Sequence, residues 1–365
     1  INTITYRAYD KRGETAIIAG KATGTVQNYF TAATEWSNLQ EAIELDQLDE
    51  ILAPMASRIV TNLELDFAAY MMKNSSLRYG THGTAVSTWS HVAGAGAMMD
   101  SIGISPSDDK YYLMNPFTVA SLASAQSGLS SADSLVRTAW ENAQISTNFG
   151  GMRALSATTL ASFTSGTGAD RAGTLSAAPD ATYLTAKDTM TQSLAVTAFQ
   201  ANMTVKAGDM VTIANVNRLN LNTRQAMVSA TGANVAWTGV VTADVVLGAS
   251  GEGTLVVAGA AIYEATGQYN TVTAAPASGA VVTILSATAT LYQPNLFYNK
   301  QAFGLGTVKL PKLYSTDTVA TTSDGMSIRI SKYSDGNANT QKIRFDLLPA
   351  YAVFNPMFAG QGFGV

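Results

Sequence analysis

Apolar side chains recur every three or four positions between residues 44 and 76, which is the spacing of one face of an α-helix. Pro54 lies inside this pattern and indicates either a new helical start or a bend. The pattern predicts one long amphipathic helix, and we assign its core-facing positions to Leu48, Ile51, Met55, Ile59 and Leu63. The start of this helix is acidic, which suits the positive end of a helix dipole. We interpret these carboxylates as a solvated helix end rather than as a paired-carboxylate active site: Glu44, Asp46, Asp49 and Glu50.

Strict alternation of apolar and polar residues marks both ends of the chain. Residues 1–30 predict a two-stranded hairpin with the charged turn DKRGE at 10–14. Because an isolated hairpin is marginally stable in water, this one needs a surface to lie against, in its own subunit or in another. Near the other end, SIRISKY and QKIRFDL alternate in the same way around Asp335-Gly336, which predicts a second hairpin.

The middle of the chain changes character near residue 165. Before it, helix and strand patterns alternate: TAVSTWSHVAGAGAMMDSIGI, FTVASLASAQ and SADSLVRTAWENAQ predict helices, and KYYLMNP and MRALSATTLASFT predict strands. Residues 165–181 are rich in Gly, Ala, Ser and Pro, which is typical of a linker or a domain edge. From there to about residue 270 the chain predicts short strands, and hence a small barrel or sandwich. A strand-and-helix portion is expected after that.

Charge is scarce in this chain. Charged residues make up 13% of the sequence, against roughly 25% in an ordinary soluble domain, and no Lys or Arg lies between Arg224 and Lys300. A free monomer with so few charges risks association. Composition alone leaves two interpretations open: a surface largely covered by neighbouring subunits, or a β-protein covered by Ser, Thr and Asn.

The same composition excludes several classes of protein. The net charge of −4 gives no general basic field for nucleic acid, and the apolar runs are too short for a membrane span. The opening residues INTITYRAYDKRG predict no secretory signal. Because cysteine is absent, disulfides and thiolate metal sites are excluded.

Residue patterns for catalysis are weak. His82 and His91 are nine residues apart without metal-ligand spacing, and we interpret them as surface or capping residues. The segments GAGAMM and GTGADRAG have incomplete dinucleotide-loop spacing, and neither GxSxG nor GxxxxGK[ST] occurs. We therefore expect no catalytic, cofactor or metal residues, and a protein that is not an enzyme.

Three segments carry a resemblance to a known family. KYYLMNPFTVASLAS at 110–124, VKAGDMVTIANV at 205–216 and NLFYNKQAFGLGTVKLP at 295–311 resemble, in this order along the chain, the coat proteins of tailed phages with an inserted β-domain, the P22-like coat family. The resemblance covers nearly the whole chain. It implies an α+β fold, the HK97-like capsid fold, with an extended β-hairpin loop, a long spine helix, an axial domain and an inserted all-β barrel-like domain.

The resemblance also implies a division of the chain. It gives an extended loop at 1–30, a peripheral domain with the spine helix at 31–83, an axial domain at 84–165 and 270–325, an insertion domain at 166–269, and a return to the peripheral domain at 326–365.

The implied function is that of a major capsid protein. Its partners would be copies of itself in hexamers and pentamers of an icosahedral head, a scaffolding protein and a portal during assembly in the host cytoplasm, and packaged double-stranded DNA bound without sequence specificity in the virion; no membrane is involved. Two groups are candidates for intersubunit contacts. The first is Asp10, Lys11, Arg12 and Glu14 in the hairpin turn, and the second is Lys187 and Asp188 in LTAKDTM, as a contact across capsomers.

Two alternatives stay open at this point. One is a nanocompartment shell of the encapsulin type, which encloses an enzyme instead of DNA; the large β insertion argues against it. The other is an extracellular β-rich adhesin or tail structural protein, against which the long helix and the missing signal weigh.

Overall fold

The computed structural model describes residues 19–37, 48–127, 142–143, 145–265, 267–323 and 325–365, with backbone only for 48–51. Within these ranges the helices are α1 Leu48–Lys73, α2 Trp89–Ile102, α3 Pro116–Ser127 and α4 Tyr183–Ala186, with a 3₁₀ turn at Pro356–Phe358. The predicted long helix is α1, which runs without a break through Pro54. Pro54 therefore does not begin a new helix.

Short strands make up most of the rest of the described chain. They are β1 Thr25–Val26, β2 Phe30–Ser37, β3 Leu77–Tyr79, β4 Lys110–Met114, β5 Asn148–Phe149, β6 Met152–Ser156, β7 Phe163–Thr164, β8 Ala172–Leu175, β9 Thr191–Thr197, β10 Thr204–Val205, β11 Met210–Asn217, β12 Ala236–Val241, β13 Val245–Val246, β14 Gly253–Ala258, β15 Val281–Ile284, β16 Leu291–Tyr292, β17 Asn295–Asn299, β18 Phe303–Thr307, β19 Thr318–Thr321, β20 Ser327–Asp335, β21 Thr340–Leu347, β22 Pro349–Val353 and β23 Ala359–Gly362.

The first half of α1 packs on an antiparallel sheet with the strand order β19–β20–β21–β2. Ile59 and Leu63 are 3% and 4% exposed in the core between helix and sheet, and Met55 is half-buried beside them. The side chains of Leu48 and Ile51, assigned to the same face, lie outside the described residues. Strands β20 and β21 form the hairpin predicted around Asp335-Gly336.

A second, mixed sheet forms the other half of the body. Its strand order is β3–β23–β17–β4–β6–β5, and α2 and α3 cover one face with apolar side chains. The last strand of the chain, β23, lies between β3 and β17, so residues that are far apart in sequence close the sheet. Buried residues on this face include Val92, Met99, Tyr112, Leu122 and Phe297.

A smaller sheet joins these two layers. Its order is β1–β22–β18, and the side chain of Tyr351 on β22 lies against Phe67 and Tyr70 of α1. The Tyr351 hydroxyl donates to Asp66 Oδ2 at 2.8 Å. This contact fixes β22, and with it β1, along the second half of α1.

A closed barrel contains the strands β11–β12–β14–β9–β8–β15. Its core surrounds Trp237, which is fully buried and donates Nε1–H to the carbonyl of Gly259 at 2.9 Å. The chain enters and leaves the barrel through β7 and β16, which pair side by side. Other core residues are Leu194, Val196, Val211, Ile213, Val241, Leu255, Val257, Val282 and Ile284.

Two short barrel strands bear on the expected division of the chain. Residues 165–181, expected to be a linker or a domain edge, contain Ala172–Leu175, the barrel strand β8, which lies within the expected insertion domain 166–269. The β-rich portion was expected to end at 269, but Val281–Ile284 closes the barrel between β8 and β11. Both strands have four residues, which is too few for an alternating pattern to be recognised in the sequence. Each pairs with the other in the barrel. The predicted helix SADSLVRTAWENAQ lies mostly outside the described residues.

Replacing Leu63 by Ala tests the core face of α1. We expect a loss of about 2–5 kcal/mol in the free energy of unfolding, because a nearly fully buried leucine leaves a cavity when it is truncated. Denaturant titration measures the change.

The matched control is Leu65→Ala on the same helix, where the side chain is 42% exposed and the expected loss is about 0.5 kcal/mol. Equal losses at both positions would show that the helix face is assigned wrongly.

Candidate intersubunit site

The first group of candidate contact residues cannot be placed. Asp10, Lys11, Arg12 and Glu14 lie outside the described residues. The described part of the chain begins at residue 19, and the segment that follows approaches the barrel. The role of the turn at 10–14 therefore stays a prediction.

The second group lies at the end of α4. The Lys187 ammonium donates to Oδ1 and Oδ2 of Asp188 at 3.1 and 3.2 Å, and the backbone N–H of Lys21 donates to the same Oδ1 at 3.1 Å. These hydrogen bonds lower the pKa of Asp188, with that from Lys187 contributing most. The side chains stay 24% and 38% exposed, so both remain accessible to a neighbouring molecule. Within the chain, this pair holds the N-terminal segment against the barrel.

A cavity of about 310 Å³ opens beside this pair. Its walls come from the N-terminal segment, from the barrel side and from the chain after β22, and its apolar lining includes Leu221, Val353 and Met357. Three cationic side chains line it against a single carboxylate: Lys21, Lys187 and Arg224 against Asp188. The cavity is therefore positively charged.

Arg224 lies in the wall of this cavity and has an unusual backbone conformation. Its φ of 59° lies in the left-handed region, which is uncommon for a residue with a long side chain. The backbone N–H donates to the Asn220 carbonyl at 2.9 Å, and Nη1 donates to the Asn270 carbonyl at 2.6 Å. These contacts hold the guanidinium next to Tyr269, whose ring stacks on Tyr183 at 4.1 Å. Strained conformations of this kind cluster at functional sites.

The barrel is fastened to the end of α1 by a buried arginine. Arg218 is 1% exposed, and its Nη2 donates to the Ser76 carbonyl at 2.8 Å and to the Thr238 carbonyl at 2.5 Å. The Thr238 hydroxyl donates to the same Ser76 carbonyl at 2.7 Å. Burial lowers the pKa of Arg218 well below its usual range, although an arginine stays protonated at neutral pH. The charge is thus stabilised by carbonyl oxygens rather than by a carboxylate.

A second buried charge holds the base of the barrel. The Asp209 carboxylate is fully buried and accepts from the backbone N–H of Lys206 at 2.9 Å and from the Arg171 guanidinium at 3.3 Å. The Ser286 hydroxyl and the backbone N–H of Gly166 also donate to it. One carboxylate therefore joins both ends of the barrel segment.

Sequence reasoning missed both of these residues. Arg218 is the only cation between Lys206 and Arg224, in an otherwise strand-like stretch, and this isolation was the available signal. Asp209 lies in a Gly-Asp turn, which is too common to stand out. Most hydrogen-bond partners of both residues lie far away in the sequence, so these contacts could not be deduced from the sequence.

His82 corrects its sequence-based interpretation as a surface or capping residue. Its ring lies 4.4 Å from the Phe363 ring and 5.8 Å from the Tyr292 ring, and both ring nitrogens are shielded from solvent. Burial, and secondarily the charge of Arg78, lowers the pKa of His82 to about 3. The neutral imidazole is thus part of the apolar junction between β16, where the chain leaves the barrel, and the residue that follows β23.

The described residues hold no group of three or more His, Asp or Glu side chains placed to bind a metal ion. Among the described helices, none is both long and apolar enough to cross a membrane.

Comparison with known proteins assigns the family. The model of the family described as P22 coat protein, gene protein 5, matches residues 2–364. This chain belongs to the P22 coat protein family. The major capsid protein of Acyrthosiphon pisum secondary endosymbiont phage 1 is 44% identical over 358 residues, which are 97% of this coat-family chain and 83% of that protein. The family resemblance read from the three sequence segments is confirmed.

Solved phage capsids are also similar to this coat-family chain, more distantly. The capsid structure of cyanophage P-SCSP1u has a TM-score of 0.43 at 12% identity and covers 94% of this chain and 73% of its own. The asymmetric unit of the bacteriophage PhiM1 mature capsid has a TM-score of 0.39 at 8% identity and covers 92% and 70%.

The burial of His82 predicts a loss of stability in acid. Its pKa is lower in the folded chain than the ordinary value of 6.5, so the unfolded chain binds more protons below pH 6.5 and stability falls with pH. Between pH 7 and pH 5 we expect His82 to account for a loss of about 2 kcal/mol. A His82→Phe variant should lack this part of the loss in the free energy of unfolding. Denaturant titration at pH 7 and at pH 5 measures the difference.

The matched control is His91→Gln, which leaves His82 in place and should keep the acid sensitivity of the natural chain. Identical pH dependence in the natural chain and in His82→Phe would contradict the assignment of the buried neutral imidazole.

Proposed function

We propose that this chain is the major capsid protein of a tailed phage and that its copies form the hexamers and pentamers of an icosahedral head around double-stranded DNA. The observation that carries the proposal is the match of the coat-protein family to nearly the full chain, residues 2–364. The role is structural rather than enzymatic. We expect a scaffolding protein and a portal to take part in assembly, in the host cytoplasm.

The proposed architecture is the HK97-like fold with an inserted barrel. In this scheme α1 is the spine helix, and with its four-stranded sheet it forms the peripheral domain. The mixed sheet with α2 and α3 is the axial domain, and residues 1–30 are the extended loop. The barrel, entered at β7 and left at β16, extends the insertion domain to about 163–292, so the second axial segment begins near 293.

The exposed surface supports self-assembly. Large apolar side chains are uncovered on every part of the described body, and Phe117 on α3 is 86% exposed. Others are Trp89, Leu184, Val246, Leu291, Leu313 and Phe354. Exposed apolar side chains combined with a charged content of 13% suit a molecule whose faces are covered by other copies. A closed lattice sums many such modest interfaces.

The charge balance suits packaged DNA. With a net charge of −4 the chain has no general field that would grip a polyanion, so DNA held inside a shell of this protein could slide during packaging. We expect the enclosed DNA to be contacted without sequence specificity.

Electron microscopy of negatively stained, purified particles tests the function, with absorbance at 260 and 280 nm on the same fraction. Closed icosahedral shells that contain nucleic acid are the expected result. Shells without nucleic acid in native particles would favour a nanocompartment. Monomers or fibres under every assembly condition, with scaffold supplied, would overturn the proposal.

Reversing two charges in the hairpin turn tests the first contact candidates. We expect Lys11→Glu combined with Arg12→Glu to reduce particle yield without changing the melting temperature of the unassembled chain, since the proposed role of these charges is to bind a neighbouring subunit. Particle yield is measured by sedimentation.

A charge-conserving control, Lys11→Arg with Arg12→Lys, should assemble normally. Unchanged yield in the charge-reversed variant, together with normal melting, would assign the turn to solvent.

A further inference from the structure

The positively charged cavity lies at the C-terminal end of α1. Its wall includes Asn355 and Met357, and the carbonyl of Pro356 between them accepts from the backbone N–H of Ser76 at 3.0 Å and from the Ser76 hydroxyl at 2.9 Å. Ser76 follows the last residue of α1, Lys73, by three positions. The cavity is therefore attached to the helix end through a short, buried connection.

The opposite end of α1 is preceded by a purely acidic stretch. Residues 41–50, EAIELDQLDE, carry five carboxylates and no cation, and no Lys or Arg occurs from 22 to 57. Asp49 and Glu50 lie in the first turn of α1 itself. The segment is thus strongly acidic, whereas the cavity is positively charged.

The two places cannot meet within one chain. A helix of 26 residues is about 39 Å long, so α1 holds its ends apart as a rod. Residues 41–47, fully extended, span at most about 25 Å, which is too short to return along the helix to the cavity. Any contact between the acidic segment and the cavity therefore joins two different molecules.

We propose that the acidic segment 41–50 of a second copy docks in this cavity, with its carboxylates facing Lys187 and Arg224. The proposal rests on the proposed self-assembly and names one of its contacts. The excess positive charge of the cavity complements the segment, and the strained backbone at Arg224 holds the guanidinium in place before docking. In this contact Lys187 of one copy faces the acidic segment 41–50 of the next copy.

Such a contact determines the kind of assembly. In this contact, the surface at one end of α1 in one copy binds a different surface at the other end of α1 in the next copy. Such a contact is heterologous, and it closes into a ring when the rotation between neighbouring copies permits. Rings are the form that hexamers and pentamers require. Because the contact is between charges at a partly exposed site, it should weaken with increasing salt.

Charge reversal tests the docking. A cavity variant carries Lys187→Glu and Arg224→Glu, an acidic-segment variant carries Glu44→Lys and Asp46→Lys, and a combined variant carries all four substitutions. Circular dichroism melting establishes that each chain folds, and sedimentation measures particle yield in parallel with the natural chain. Should Lys187→Glu impair folding through Asp188, the pair Arg224→Glu and Glu44→Lys replaces the larger set.

The expected result is that each reversed variant folds but yields about tenfold fewer particles, and that the combined variant regains them. Normal yield from either reversed variant, or no recovery in a folded combined variant, would overturn the docking. Normal assembly of the cavity variant with lost binding of inorganic phosphate would assign the cavity to a free anion instead. A natural chain that forms no particles would refute the proposed function, and the docking with it.

Discussion

The carbonyl group of Ser76 is the point on which the arrangement of this molecule depends. It lies just past the end of α1, is buried, and must therefore accept a hydrogen bond if the fold is to be stable. Arg218 and Thr238 of the barrel both donate to it, so the barrel is positioned directly by the backbone of the body. The junction excludes water, so the Arg218 charge is stabilised by carbonyl oxygens. This interaction is strong only while the hydrogen-bond geometry is kept. The barrel and the long helix are thereby joined as one unit.

Some of the few charges of this protein are buried and paired inside it. Asp346 on β21 accepts from Arg329 at 2.6 Å and from Arg344 at 3.1 Å within the four-stranded sheet, and Asp209 holds the base of the barrel. The exterior carries few charges because charged residues make up only 13% of the chain. An exterior that carries exposed apolar side chains and little charge is unfavourable for a solitary molecule and favourable for one surrounded by copies of itself. The composition thus suits the proposed function.

The sequence predicted the parts of the fold that depend on local patterning. The period of α1 and the alternation in β20 and β21 extend over eight residues or more, which is enough to identify a helix or a hairpin. The limits of the barrel could not be predicted, because β8 and β15 are four residues long and pair across about a hundred positions of chain. The junction could not be predicted either, since Arg218 and Ser76 are 142 positions apart and nothing local links them. His82 was misassigned for the same reason: the rings that bury it, Tyr292 and Phe363, come from the far end of the sequence.

The central claim is that the barrel and the long helix form one unit whose exposed apolar faces are covered by other copies. Electron cryomicroscopy of the closed particle, at a resolution that shows side chains, measures this most directly. The account predicts that Arg218 keeps its contact with Ser76 in every subunit and that Phe117, Leu313 and Phe354 are buried against neighbouring subunits. A particle in which the barrel is detached from the end of α1, or in which these side chains face solvent in all subunits, would contradict it.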